Sequence, residues 1–182
     1  MRLVDIWLQN WRIHKAKKWV SLGARILDIG CHQGELFDKL GEGIGKSVGI
    51  DPRTHAKKAT QYEIIQCSFS DQLPFAEASF DAITLLAVIE HIQNTEQLIK
   101  ECKRVLTSTG SVIITVPAPI VDHIVEWLVR LHLSDGTSLE EHHGFDPTCL
   151  PALFKEQGFD LEHWTRFQLG LNNLMVFRRV KN

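Results

Sequence analysis

Short apolar runs alternate along this chain with segments whose apolar residues return every three to four positions. The runs Arg25–Ile29, Ser47–Ile50, Glu63–Gln66, Phe80–Leu86 and Ser111–Val116 read as buried strands. Between them, Glu35–Leu40 and Thr95–Leu106 carry helical spacing, and Thr54–Thr60 after Pro52 is expected as a further helix. Gly41, Gly43 and Gly45 close the first of these helices, and Thr109-Gly110 is expected to turn the chain into the fifth strand. Ahead of the first strand, Leu3, Trp7 and Trp11 recur at four-residue spacing and predict a helix over about residues 3–20. Arg12, His14, Lys15, Lys17 and Lys18 make that helix basic, either as a solvated face or as an anion-binding lid with Arg12 the residue to test. Beyond the fifth strand, Ile120–Leu133 predicts an inserted amphipathic helix, followed by a polar loop at Ser134–Gly144. Pro147–Gln157 predicts another helix, and Phe159–Arg166 and Asn172–Arg179 a closing pair of strands joined through Gly170.

Strands that alternate with helices imply an α/β fold with a mostly parallel sheet covered on both faces. The last two strands are close enough in sequence to form an antiparallel hairpin. Together the runs give seven strands.

Where such a sheet binds a ligand, it does so beyond the carboxyl ends of its strands. Two carboxylates sit there. Asp28 ends the first strand in Ile26-Leu27-Asp28-Ile29-Gly30-Cys31-His32-Gln33-Gly34, and Asp51 ends the second, 21 positions after Gly30. Gly30 permits a sharp turn and Gly34 a close backbone approach as the helix begins. A carboxylate at Asp51 can accept hydrogen bonds from both hydroxyls of a ribose. A dinucleotide site would need GxGxxG, whereas the positions counted from Gly30 are Gly30, His32 and Glu35. A sulfonium donor has no pyrophosphate but carries an α-amino group, which Asp28 or a turn carbonyl could accept.

Composition adds few constraints. The 182 residues suffice for one domain, with residues 1–22 as an N-terminal helix and 117–146 as an insertion over the site. A net charge of −2 gives no global attraction to nucleic acid. The four cysteines, Cys31, Cys67, Cys102 and Cys149, are scattered without a CxxC pair, which fits a reducing, cytoplasmic setting. No run approaches the roughly 18 apolar residues of a membrane span, and Asp5, Gln9 and Asn10 break any signal-peptide pattern.

The motifs together resemble those of class I S-adenosylmethionine-dependent methyltransferases, in the branch acting on small molecules. Ile26–Gly34 is similar to the first motif, usually written LDIGCGxG, with His32 at the place of its second glycine. Gly49-Ile50-Asp51 resembles the second. Leu73-Pro74-Phe75, Ser79-Phe80-Asp81 and Ile89-Glu90-His91 resemble the block LPF…SFD…LEH, and Gly170-Leu171-Asn172-Asn173 resembles the final hairpin. The resemblance runs from about residue 20 to 180. It implies a Rossmann-like, doubly wound sheet with S-adenosylmethionine as cofactor and S-adenosylhomocysteine as product. Gly30, Cys31 and Gly34 would lie under the methionine part, with Asp28 beside them. Asp51 would bind the ribose, and Pro52 would pack near the adenine. Ser68 and Phe69 would cover the base, with Asp71 as a substitute for the acidic residue that often binds its amine. Leu85 and Leu86 would lie under the transferred methyl.

Catalysis by methyl transfer demands alignment before it demands side chains. A base matters only where the acceptor must lose a proton. His91, His142 and His143 are the candidate acceptor contacts, with Trp127 as a pocket wall. No histidine spacing points to a metal site. Two readings stand: a methyltransferase for a small-molecule acceptor, and a weak or non-catalytic donor-binding protein. The tryptophans Trp7, Trp11 and Trp19 offer a surface for an oligomer.

Overall fold

The computed structural model describes residues 3–118 and 145–180. The helix expected at Ile120–Leu133 and the loop after it lie outside the described residues. Helix α1 (Leu3–Ala16) passes through a 3-10 turn (Lys17–Trp19) toward β1 (Ile26–Ile29). There follow α2 (Glu35–Leu40), β2 (Ser47–Asp51), β3 (Lys57–Lys58), β4 (Tyr62–Gln66), β5 (Phe80–Leu86), α3 (Thr95–Val105) and β6 (Leu106–Pro117). A 3-10 turn (Pro147–Cys149) then opens α4 (Leu150–Glu156), and β7 (Phe159–Phe167) and β8 (Asn172–Arg179) complete the sheet.

The strand order is β3-β4-β2-β1-β5-β6-β8-β7. The five strands β4, β2, β1, β5 and β6 are parallel, while β8 runs antiparallel to both β6 and β7. From β1 the chain winds outward through β2 to β4, then returns to place β5 on the other side of β1. That reversal opens a crevice between the carboxyl ends of β1 and β5.

All seven expected strands are present, and β3 adds a two-residue eighth. It lies where a helix over Thr54–Thr60 was expected. That segment has no apolar stripe, so a helix there would bury nothing. Pairing with β4 satisfies its backbone instead, and Lys57 Nζ donates to the Tyr62 hydroxyl at 2.8 Å. The turn expected at Thr109-Gly110 is also absent. β6 starts directly at Leu106, and the extra residues are taken up as an irregularity, with Phe80 opposite Leu106 and Ala82 opposite Ser111. Gly110 is required there, because a Cβ would fall 2.6 Å from Leu106 Cδ2 and 3.2 Å from the Asp81 carbonyl.

Both faces of the sheet are covered. On one, Leu27, Ile29, Ile83, Leu85, Val112 and Ile114 pack with Leu98, Ile99, Cys102 and Val105 of α3 and with Leu150 and Phe154 of α4. The Phe154 and Phe177 rings stack with centroids 3.9 Å apart. On the other face, Ala82, Ile113, Leu174 and Val176 meet Ala16 of α1, with Trp11 and Trp19 at the margin. Asn94 caps α3 by accepting from Gln97 N at 3.1 Å.

The Leu73–Phe75 segment has no regular structure and is held by charge. Glu101 accepts the Leu73 N–H at 2.8 Å and is bridged by Arg104 at 2.6 Å. Arg104 also donates to the carbonyls of Leu73 and Phe75, at 2.9 and 2.6 Å.

Candidate active site at the β1–β5 switch point

The crevice holds a cavity of about 780 Å³, within the range of small-molecule sites. Its wall draws on every element around the switch point. The β1 turn supplies Asp28, Gly30, Cys31 and His32. The end of β2 supplies Asp51, Pro52 and Arg53, the segment after β4 supplies Cys67, Ser68 and Phe69, and the end of β5 supplies Leu86, Ala87, Val88 and His91. Gln9, Arg12 and Ile13 of α1 close one side.

Local sequence explains the turn. Gly30 has φ +74°, and a Cβ there would lie 2.3 Å from Val88 Cγ2. Its N–H donates to the Ile50 carbonyl at 2.8 Å, which ties the β1 turn to β2. His32, next but one, also adopts a left-handed φ of +46°. Its N–H donates to Asp51 Oδ2 at 3.0 Å, and its ring Nδ1 lies 2.7 Å from Glu35 Oε1. The imidazole is thus drawn to the rim, with half its side chain exposed. Ala87 has φ +60°, a second non-glycine residue in this region at the same cavity. Such conformations cost of order 1–3 kcal/mol each and concentrate at functional sites.

Asp51 is nearly buried, and its two oxygens accept N–H groups from His32 and Arg53 at 3.0 and 2.8 Å. Each oxygen keeps a lone-pair site for a ligand. Asp28 is buried and takes a 2.6 Å hydrogen bond from the Thr84 hydroxyl. Burial pushes its carboxyl up to about 7; the Thr84 bond opposes the rise, and the charges of Glu35 and Asp51 add to it. Burial and the neighbouring Asp28 and Asp51 charges likewise push the Cys31 thiol up, so it remains an unreactive SH.

Of the expected donor contacts, Asp28, Gly30, Cys31, Asp51, Pro52, Ser68, Phe69 and Leu86 line this one cavity. Leu85 does not. Alternation along β5 turns it to the opposite face, fully buried in the core with Ile89 and Leu98. Gly34 also faces away, since a Cβ there would meet the Tyr62 ring at 3.1 Å and Ile64 Cδ1 at 3.2 Å. Its role is to start α2. Asp71 is not among the lining residues, and its carbonyl accepts from Gln97 Nε2 at 2.8 Å. Glu90 and His91 lie within a single 3-10 turn (Ile89–His91), and both line the cavity. His142, His143 and Trp127 lie outside the described residues. Sequence reasoning missed Thr84 and the cavity-facing Gln9 and Ile13. The i, i+3, i+4 spacing of Gln9, Arg12 and Ile13 was a legible signal for one helix face, but not for what that face meets. Among the described residues, no cluster of three or more His, Cys, Asp or Glu side chains could hold a metal ion.

A glycine turn and a strand-end carboxylate on a switch-point cavity define a Rossmann-like nucleoside site. Residues 27–114 match the family model described as a methyltransferase domain. Over that segment, just under half of its length, the chain is similar to methyltransferase domains. The ubiquinone biosynthesis O-methyltransferase of Rattus norvegicus mitochondria is 36% identical over 107 residues, covering 51% of this chain and 30% of that one. The chain spans 28–33% of the length of three mammalian relatives of that name. Among solved structures, a putative methyltransferase from Haloferax volcanii, in complex with the Trm112 activator, superimposes with a TM-score of 0.72. It is 15% identical, covering 97% of this chain and 93% of that one. The 1,6-didemethyltoxoflavin-N1-methyltransferase of Burkholderia thailandensis, solved with S-adenosylhomocysteine, gives a TM-score of 0.70 at 15% identity, covering 97% and 82%. These two likenesses show the fold. No helix among the described residues is long and apolar enough to cross a membrane.

Proposed function

We propose that this protein binds S-adenosylmethionine in the β1–β5 cavity and transfers its methyl group to a small-molecule acceptor. The observation that carries the reading is Asp51, a nearly buried carboxylate held by two backbone N–H groups beside the Gly30 turn, with lone pairs left for a ribose diol. Asp28 offers a second carboxylate for the donor's α-ammonium. Pro52, Ser68 and Phe69 supply the flat wall against the adenine.

The same residues disfavour a pyrophosphate. The first turn of α2 carries Glu35 and Asp38, and the N–H of Gln33 is already taken by Glu35 Oε2 at 3.1 Å. Those carboxylates repel an anion where a dinucleotide site would need to hold one.

When bound, the sulfonium supplies an electrophilic methyl. The chain's task is then to orient and to exclude water. Leu86, Ala87 and Val88 form the wall where we place the methyl, and the left-handed φ of Ala87 aims this segment across the cavity. His91 lies on the acceptor side as the group to take a proton, where the acceptor must lose one. Arg12 and Gln9 close the site from α1. The likeness to ubiquinone biosynthesis O-methyltransferases and to the Burkholderia enzyme favours a small-molecule acceptor.

Titration calorimetry tests the donor assignment. S-adenosylhomocysteine should bind in the micromolar range, NADH should not, and Asp51→Ala should weaken binding by about 100-fold. No heat from millimolar S-adenosylhomocysteine would overturn the reading. Transfer of labelled methyl from S-adenosylmethionine into a fractionated cell extract then tests the acceptor class. Label should enter the small-molecule fraction; label confined to macromolecules would refute that part.

A further inference from the structure

Thr84 and Asp28 are register partners on adjacent parallel strands, β5 and β1, so their side chains share one face of the sheet. Both are buried, and the hydroxyl-to-carboxylate distance is 2.6 Å. Asp28 also lines the cavity, beside Gly30 and Asp51. A buried carboxylate opening onto a ligand cavity has two stable conditions. Burial favours its protonated form, and a cation bound beside it favours the carboxylate.

Resting on the donor reading, we infer that Thr84 is a positioning residue for the donor: its hydroxyl fixes Asp28 in the cavity wall, and binding of the donor's α-ammonium there expels the proton that Asp28 holds in the ligand-free protein. The proton passes from the Asp28 carboxyl to solvent, leaving a carboxylate against the ammonium and within hydrogen-bond reach of Thr84.

The surroundings set the direction. Among the described residues that line the same cavity, the acids are Glu35 on α2, Asp51 on β2 and Glu90 after β5. The bases are Arg12 on α1, Arg53 after β2, His32 on the β1 turn and His91 after β5; Cys31 is a neutral thiol. Glu35 and Asp51 both oppose ionisation of Asp28, burial opposes it more, and the Thr84 hydrogen bond favours it. With the ligand-free carboxyl at about 7, donor affinity should rise with pH and level off above about 8. Between pH 7 and pH 6 it should fall about fivefold, tending to tenfold per pH unit below that.

The test is calorimetry of S-adenosylhomocysteine from pH 5.5 to 9, at each pH in two buffers of different ionisation enthalpy, which counts protons released. The parent should release a fraction of a proton at pH 7 and close to one at pH 6. Thr84→Val, which keeps the shape and removes the hydroxyl, should move the midpoint of the affinity profile up by about one pH unit. Its deficit should be largest near pH 7 and shrink toward pH 9. Thr84→Ser should restore the parent profile. Asp28→Asn should release no proton and bind weakly at every pH. A Thr84→Val deficit that is constant with pH would show a merely structural role and overturn the inference. So would proton release that survives Asp28→Asn and disappears in His32→Gly or His91→Asn. If the parent binds no S-adenosylhomocysteine at any pH, the donor reading itself fails, and this inference with it.

Discussion

Replacing Gly30 by alanine isolates what the first turn requires. Two costs are readable from the structure. The backbone at residue 30 has φ +74°, where an L side chain is strained by roughly 1–2 kcal/mol. The added Cβ would also sit 2.3 Å from Val88 Cγ2 and 3.2 Å from Cγ1, an overpacking that typically costs about 1–3 kcal/mol. Gly30→Ala should therefore destabilise the protein by about 2–5 kcal/mol. The two terms separate in a double-mutant cycle with Val88→Ala, which removes the clash but not the strain. Val88 is only partly buried, so its own truncation should cost about 1 kcal/mol. In the double variant the steric part should vanish, giving a favourable coupling of about 1–3 kcal/mol and leaving the strain of about 1–2 kcal/mol. Urea unfolding followed by tryptophan fluorescence measures all four corners. A Gly30→Ala cost below about 1 kcal/mol, or a coupling near zero, would refute the geometry of this turn and with it the fixed position of Val88 over the cavity.

Asp28→Asn should stabilise the ligand-free protein at high pH. The folded carboxyl at about 7 lies above its ordinary 3.8, so stability is full below about pH 3.8, falls as pH rises from there through 7 while only the unfolded chain readily ionises, and is lower by about 4 kcal/mol from pH 7 upward. A thermal melt that shifts equally at pH 5 and pH 9 would contradict this. Glu101 has the opposite sign: Arg104 holds it below its ordinary value, so its contribution is present above about pH 4.5 and is lost as pH falls. Glu101→Ala should cost about 3–5 kcal/mol at pH 7, because it leaves Arg104 without its carboxylate and Leu73 N without an acceptor, and should flatten the acid limb of the stability profile. A loss under 1 kcal/mol in urea would sink that account. His32→Gly should leave S-adenosylhomocysteine affinity within about threefold of the parent, since the ring already points to Glu35 at the rim. A tenfold gain in calorimetry would mean that the imidazole obstructs the site.

The order of strands and helices was legible because burial on a parallel sheet leaves a local mark. Phe80–Leu86 and Ser111–Val116 are apolar on both faces, and the helices between carry one apolar stripe each. Asp28, Gly30 and Asp51 were legible for a related reason. The sequence places an acid or glycine directly at a strand end, and strand ends of this sheet share one edge. Local spacing could not say which way a residue near such an end turns. Leu85 and Leu86 are adjacent and equally apolar, yet pleating sends Leu85 into the core and Leu86 to the cavity. Gly34 belongs to the same motif as Gly30, but its open side faces Tyr62 and Ile64, two residues from β4.

What the tertiary structure decided is the company each residue keeps. Lys57–Lys58 became a strand because β4 offered an unpaired edge. Thr84 sits in the middle of an apolar run and carries no motif, and only the β1–β5 register brings its hydroxyl to Asp28, 56 positions earlier. His32 breaks the glycine pattern in sequence, while the fold gives its N–H to Asp51 and its ring to Glu35. By itself, then, the sequence determined the alternation of elements, the edge at which a ligand is held and the residue types available there. Periodicity and turn chemistry act over a few residues and need no partner. The protonation of Asp28, the anchoring of Leu73–Phe75 by Glu101 and Arg104, and the enclosure of the cavity by α1 depend on burial and distance between segments far apart in the chain, which only the folded structure sets.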